Sequence, residues 1–179
     1  MRKLLAFLIP LMLFATADAQ VNPLKVIQKK LSNGMTVWIN EDHSQPKVYG
    51  AVIVKAGAKD CPNTGMAHYF EHIMFKGTDK IGTIDYAKEK PWLDSISAKY
   101  DILAKTKDAK LRTTIQKDIN RLSIKAGEYA IPNEFSSLIT AFGGTGLNAF
   151  TSFDETVFHN SFSPQYIRQW CKLNSDRLM

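Results

Sequence analysis

The 179-residue sequence has no apolar stretch long enough to cross a membrane. Its longest apolar run, residues 4–15, is interrupted by Pro10. A transmembrane helix needs about 20 consecutive apolar residues. The mature chain is therefore not expected to span a membrane.

This short run has the features of a secretory signal peptide. Two basic residues, Arg2 and Lys3, precede it, and an A-x-A site at residues 17–19 follows it. This order of basic, apolar and small residues predicts a signal peptide over residues 1–19 that is cleaved after Ala19. No cysteine stands at the cleavage junction for lipid attachment. We therefore expect a secreted or periplasmic protein.

A strong excess of charge is also missing. The formal net charge is +6, and removal of the signal peptide, with two basic residues and one acidic residue, leaves +5. Much of this excess lies in residues 88–125, where lysines alternate with Asp and Glu. Interleaved charges are typical of a solvated helix face rather than of a phosphate-binding surface. The composition does not support nucleic-acid binding.

Cysteine is scarce, with only Cys61 and Cys171 in the chain. An oxidising compartment would permit a disulfide between them. Two unpaired, partly buried thiols remain the favoured alternative, because a sequence does not give the distance that a bridge requires. Neither cysteine has zinc-ligand spacing with the other or with a histidine.

The remaining pattern predicts an α+β domain over residues 20–179. Strands are expected at residues 26–31, 35–41 and 48–54, the first two joined by a turn at Asn33-Gly34. A helix is expected at residues 65–76, capped by Asn63 or Thr64 and ended by Gly77. Two further strands are expected at residues 147–153 and 155–162, and a last helix from about residue 165 to the end.

Residues 85–129 have a different pattern. Apolar residues recur at helical spacing in two series separated by a polar stretch: Trp92, Ile96, Tyr100 and Leu103, then Leu111, Ile115, Ile119 and Leu122. This pattern predicts an antiparallel helical hairpin. Packing between the two helices explains the apolar stripes better than a cofactor site does.

The chemistry-bearing residues lie in the helix predicted at residues 65–76. His68 and His72 are four residues apart, so both imidazoles project from one face and can chelate one ion. Glu71 lies beside that face, close enough to take a proton from a metal-bound water. Imidazole and carboxylate ligands favour Zn²⁺. The HxxEH motif alone is a weak indication, and its surroundings decide its meaning.

Those surroundings resemble peptidase family M16, the pitrilysin/insulinase family. The stretch GMAHYFEHIMFKGT at residues 65–78 resembles the family's N-terminal active-site block. A second block, NAFTS at residues 148–152 followed by Thr156-Val157-Phe158, resembles its substrate-side strand. The strand pair around residues 31–37 also fits the family's start, whereas residues 85–129 form an insertion relative to shorter members.

The resemblance implies a function and a set of site residues. It implies a zinc metalloendopeptidase of the α+β metallohydrolase fold shared with S-ribosylhomocysteine lyase (LuxS), with an antiparallel sheet packed against helices. It implies His68 and His72 as zinc ligands, Glu71 as general base on zinc-bound water, and Asn148 and Ala149 as positions that bind an extended peptide substrate.

The resemblance also implies parts that the chain does not contain. The family's third ligand is a Glu that would lie beyond Met179, and a homologous C-terminal domain or partner subunit is expected. The sequence stops inside a helical pattern, so we expect a C-terminally incomplete domain that alone is nearly inactive. The acids available as substitutes have no matching context: Glu89, Glu128, Glu134 and Glu155.

Two alternatives remain open. The chain could be a non-catalytic M16-like partner or metal-binding module, although the three motif residues are intact. It could also be an S-ribosylhomocysteine lyase, which shares the inverted motif. The signal peptide, the helical hairpin and the two sequence blocks argue against that enzyme.

Overall fold

The computed structural model describes residues 25–178, which form an α+β fold with antiparallel sheets and five α-helices. The predicted signal peptide, residues 1–19, lies outside these residues. The chain divides into two compact units, with the boundary between Ser44 and Gln45. The predicted fold class is confirmed.

The first unit contains an antiparallel hairpin of β1 (Val26–Lys30) and β2 (Thr36–Asn40). Its turn is the predicted Asn33-Gly34 pair. Gly34 has φ +88°, a conformation that glycine adopts without steric cost, and the Asn33 side chain accepts a hydrogen bond from Met35 N. Because the turn depends only on these neighbouring residues, the sequence alone predicts it.

The second unit is built on a three-stranded antiparallel sheet. Its strands are β3 (Val48–Val54), β4 (Thr145–Thr151) and β5 (Thr156–Phe162), in the order β3-β5-β4. The middle strand, β5, is the most buried. A register shift between Thr145 and Asn148 bends β4 at Gly146, where φ is +65°. In the described part of the chain, β4 is an edge strand.

Five helices belong to this unit: α1 (Met66–Ile73), α2 (Tyr86–Lys105), α3 (Ala109–Gly127), α4 (Glu134–Ala141) and α5 (Ile167–Leu178). Helix α1 contacts β4 and β5. None of these helices combines the length and the apolar content that crossing a bilayer requires.

The main core lies between the sheet and the helices. Its buried members are Ile81, Phe135, Ile139 and Leu173. Trp170 of α5 stacks on Phe162 of β5 with ring centroids 5.1 Å apart. A Cβ at Gly50 would lie only 2.6 Å from the Trp170 ring, so the close approach of α5 to β3 requires glycine there.

The predicted hairpin at residues 85–129 is confirmed as α2 and α3. Asp85 and Asp108 cap the two helices through bonds to backbone N–H groups. Leu103, Ile115 and Ile119 form a separate small core between the helices. The hairpin therefore stabilises itself largely by contacts within its own residues.

The structure differs from the sequence prediction in three places. Helix α4 was not predicted, because Glu134–Ala141 is short and contains Ser, Thr and Ile, which have weak helix propensity. Burial of Phe135 and Ile139, one turn apart, stabilises it instead. Helix α1 ends at Ile73, three residues early, and its N-cap is Gly65. Cys61 and Cys171 are both free, as favoured, but exposed rather than partly buried.

Candidate functional site

The two histidines of the motif converge on one point. His68 and His72 are both exposed on α1, and their Nε2 atoms are 3.2 Å apart. Two nitrogen ligands of a tetrahedral zinc ion, each about 2.0–2.1 Å from the metal, are separated by about 3.3 Å. Without an ion, the same separation allows one ring N–H to donate to the other ring. The pair therefore fits one zinc ion with little rearrangement.

Glu71 is buried beside these exposed rings, with 7% of its surface accessible. Thr151 Oγ1 of β4 donates a 2.6 Å hydrogen bond to Glu71 Oε2. The neighbouring Thr156 hydroxyl donates to the backbone oxygen of Ala56 at 2.9 Å. Each hydroxyl has one hydrogen to donate. Thr156 donates its hydrogen to Ala56, and Thr151 donates its hydrogen to the Glu71 carboxylate. The strand therefore holds one oxygen of Glu71 in place.

A cavity of about 380 Å³ connects α1 with β4. His68 and Glu71 line one wall, and Ala149, Phe150 and Thr151 line the other. Ala58 of a short 3₁₀ helix (Ala58–Asp60) and the loop before α1, with Cys61, also line the cavity. The cavity therefore joins the histidine motif to the NAFTS block, two segments about 80 residues apart in sequence.

The two predicted substrate-binding residues both lie on the edge strand, but they differ in burial and in contact with the cavity. Ala149 is half-buried and lines the cavity, whereas Asn148 is exposed and pairs in register with His159 on β5. Successive strand residues point to opposite faces, which explains the difference. The structure brings Ala149 to Glu71 and leaves Asn148 at the strand's exposed edge.

Thr151 was not singled out from the sequence, although it belongs to the NAFTS block. An available indication was the two-residue periodicity, which puts Ala149 and Thr151 on the same face of β4. A threonine two positions after a cavity residue, on the strand beside the motif helix, is placed to contact the motif carboxylate.

None of the four acids considered as substitute ligands forms a metal-binding group with the two histidines in the described part of the chain. The Glu134 carboxylate accepts a hydrogen bond from Gly82 N, Glu128 pairs with Lys125, and Glu155 makes backbone bonds to Ser152. Glu89 lies in the first turn of α2. Across residues 25–178, no three His, Cys, Asp or Glu side chains are grouped to hold a metal ion. The described residues thus contain the histidine pair without a third ligand.

Comparison with known proteins agrees with this geometry. Residues 36–90, which include the whole HxxEH motif, match the family model described as Insulinase (Peptidase family M16). No curated protein matches the chain significantly.

Among solved structures, the chain is similar to a protease from Helicobacter pylori, with a TM-score of 0.55 and 19% identity. The similarity covers 86% of this chain and 26% of that protein. The chain therefore spans about a quarter of that protein's length, and at this identity the likeness establishes the fold alone. Residues 36–90, with His68, Glu71 and His72 among them, are therefore similar to the insulinase family of peptidases, family M16.

Proposed function

We propose that this chain is the N-terminal, metal-binding part of a zinc-dependent endopeptidase. His68 and His72 hold the ion, and a Glu outside residues 25–178 completes the ligand set. The observation that supports this most directly is the 3.2 Å separation of the two Nε2 atoms beside the buried Glu71 carboxylate. A catalytic zinc site normally uses three protein ligands and leaves one position open.

The ion would supply a Lewis acid that lowers the pKa of water toward about 7 and polarises a peptide carbonyl. Glu71 acts as the general base that accepts the proton from the attacking water and returns it to the leaving amine. Thr151 holds Oε2 of that carboxylate and so limits its rotation. Burial of Glu71 in the wall of the cavity keeps the carboxylate close to the histidine face.

The substrate is an extended peptide that adds along the free edge of β4. An exposed edge strand offers unpaired backbone groups, and peptides commonly bind by completing such a sheet. Asn148 and Ala149 lie on this edge strand, and Ala149 lines the cavity that Glu71 also lines. Backbone pairing at these positions would place a peptide bond beside the motif helix.

The proposal also covers the export of the protein, the extent of the domain and the partner that it works with. Residues 1–19 direct export and are removed, and residues 20–179 form the catalytic N-terminal domain with residues 85–129 as an insertion. The mature protein works outside the cytoplasm, secreted or periplasmic, together with a homologous C-terminal domain or a partner subunit.

The test compares zinc content and peptide turnover in residues 20–179, in a longer polypeptide that supplies the third ligand, and in its Glu71→Gln variant. Glutamine keeps the shape but does not accept the proton, so turnover should fall by roughly 100- to 10,000-fold while zinc is retained. Glu41→Gln, an exposed change in the first unit, is the matched control. Undiminished turnover in Glu71→Gln would exclude Glu71 as the base.

A second candidate is a metal-binding module without turnover. The grouping of only two possible ligands in the described residues favours it for this chain by itself. Turnover by residues 20–179 comparable to that of the longer polypeptide would exclude this second candidate.

A further inference from the structure

Arg177 of α5 is a buried cation that forms no ion pair within residues 25–178. Its surface is 8% exposed, and three aromatic rings surround the guanidinium. The Cζ atom lies 4.4 Å from the Phe158 ring centroid, 4.6 Å from that of Phe135 and 5.6 Å from that of Phe75. Within residues 25–178, Nε and Nη1 have no hydrogen-bond acceptor. Burial lowers the pKa of Arg177 to about 10.

The aromatic rings meet only part of what this side chain requires. Ring faces attract a cation, but they are poor acceptors for N–H groups. A buried charge is stable when it is both paired and hydrogen-bonded. The planar guanidinium matches a carboxylate, which can accept two parallel hydrogen bonds from it. An anionic acceptor is therefore the missing element at Arg177.

The nearby acids do not provide this acceptor. Asp176 lies 3.6 Å from Lys80 and forms an ion pair with it. Asp60 accepts a hydrogen bond from Gly57 N at 2.9 Å, and Glu71 accepts one from Thr151. None of these acids forms an ion pair with Arg177 in the described part of the protein.

Arg177 borders a cavity of about 440 Å³, which we call the Arg177 cavity. Its walls come from β3, α1, β5 and α5, and most of its lining is apolar: Val54, Phe70, Met74, Phe158 and Leu178. The cavity is larger than a carboxylate group, so an occupant can bring apolar groups as well as one negative charge. Cys61, Met66, Ala67 and Glu71 line both this cavity and the one beside His68.

We propose that the Arg177 cavity binds an acidic polypeptide segment: an Asp or Glu side chain that pairs with Arg177, flanked by apolar residues that fill the remaining volume. The charge of Arg177 selects the acid, and the apolar walls select its neighbours. The occupant would join α5 to the side of α1 that carries Glu71. This binding requires neither a metal ion nor turnover and so goes beyond the proposed peptidase activity.

The test measures binding of two blocked peptides to residues 20–179 by calorimetry at neutral pH, with a chelator present to exclude zinc. Acetyl-Leu-Glu-Leu-amide carries the charge, and acetyl-Leu-Gln-Leu-amide is its neutral match. The Glu peptide should bind at least about tenfold more tightly, because a charge-assisted hydrogen bond is roughly twice as strong as a neutral one. Equal binding of the two peptides by the unaltered protein overturns the proposal without any variant.

Two variants locate the site. Arg177→Met should abolish the preference for Glu over Gln, whereas Arg168→Met, an exposed change on the same helix, should leave it intact. A preference that survives Arg177→Met in a folded protein, shown by unchanged circular dichroism, also overturns the proposal. Sodium hexanoate is the third probe. If it binds as tightly as the Glu peptide, the ligand is a small carboxylate and the polypeptide assignment is wrong.

Discussion

Thr151 Oγ1 and Glu71 Oε2 are joined by a 2.6 Å hydrogen bond that links β4 to α1. The two residues are 80 positions apart in sequence. One belongs to the edge strand proposed to bind the peptide, and the other is the proposed general base. This single bond would couple the proposed substrate positioning to the proposed proton transfer, because a shift of the strand would move the carboxylate.

We expect Thr151→Val to lower kcat by about tenfold in the longer polypeptide, with a smaller change in KM. The substitution keeps the shape but removes a hydrogen bond to a charged group, an interaction of about 1.5–3 kcal/mol. Thr151→Ser retains the hydroxyl and should keep most of the activity. Steady-state kinetics with a fluorogenic peptide measures both variants. A valine variant with unchanged kcat would show that Glu71 does not depend on the strand.

Zinc binding to residues 20–179 should depend on both histidines. His68→Ala and His72→Ala should each weaken zinc affinity by more than about 100-fold, which is the upper cost of losing a residue that only hydrogen-bonds to a metal ligand. His43→Ala changes an exposed histidine in the first unit and is the control, with no expected loss. Competition with a colorimetric chelator measures the affinity. Full affinity after either motif substitution would exclude the pair as ligands.

The helical hairpin should respond to pH through Asp118. Lys99 of α2 donates a 2.8 Å hydrogen bond to the Asp118 carboxylate. This hydrogen bond, and to a smaller extent the positive charge of Lys99, lowers the pKa of Asp118 below its ordinary value. A lowered carboxyl pKa adds stability that is present above the unfolded value and is lost as pH falls through the folded one. Asp118→Asn should therefore lower Tm near pH 7 and make little difference near pH 2.

The control for this measurement is Asp101→Asn, an exposed change on α2. Thermal unfolding at both pH values, followed by circular dichroism, compares the two variants with the unaltered chain. A Tm difference for Asp118→Asn that is equally large at both pH values would indicate a packing effect rather than an ion pair.

Export should depend on the small residue at the cleavage site. Ala19→Arg should prevent removal of residues 1–19, because signal peptidase requires a small side chain there. The precursor would then accumulate, and N-terminal sequencing or intact mass would detect it. A mature N-terminus at Gln20 in this variant would show that the cleavage site is assigned wrongly.

The sequence by itself determined the features that depend on near neighbours along the chain. The four-residue spacing of His68 and His72 puts both rings on one helix face, whatever the rest of the protein does. The Asn33-Gly34 turn and the apolar stripes of α2 and α3 follow the same logic, because each depends on residues within one turn or one hairpin. These elements were predicted correctly for that reason.

The tertiary structure decided what depends on distant residues. The strand order β3-β5-β4 makes β4 an edge within the described residues and brings Thr151 to Glu71. Burial of its own Phe135 and Ile139 in the main core stabilises α4 despite its weak helical pattern. The exposure of Asn148 and the burial of Arg177 among three phenylalanines belong to the same group. Local periodicity carries no information about which distant surface a residue meets, because that surface exists only after the elements have packed together.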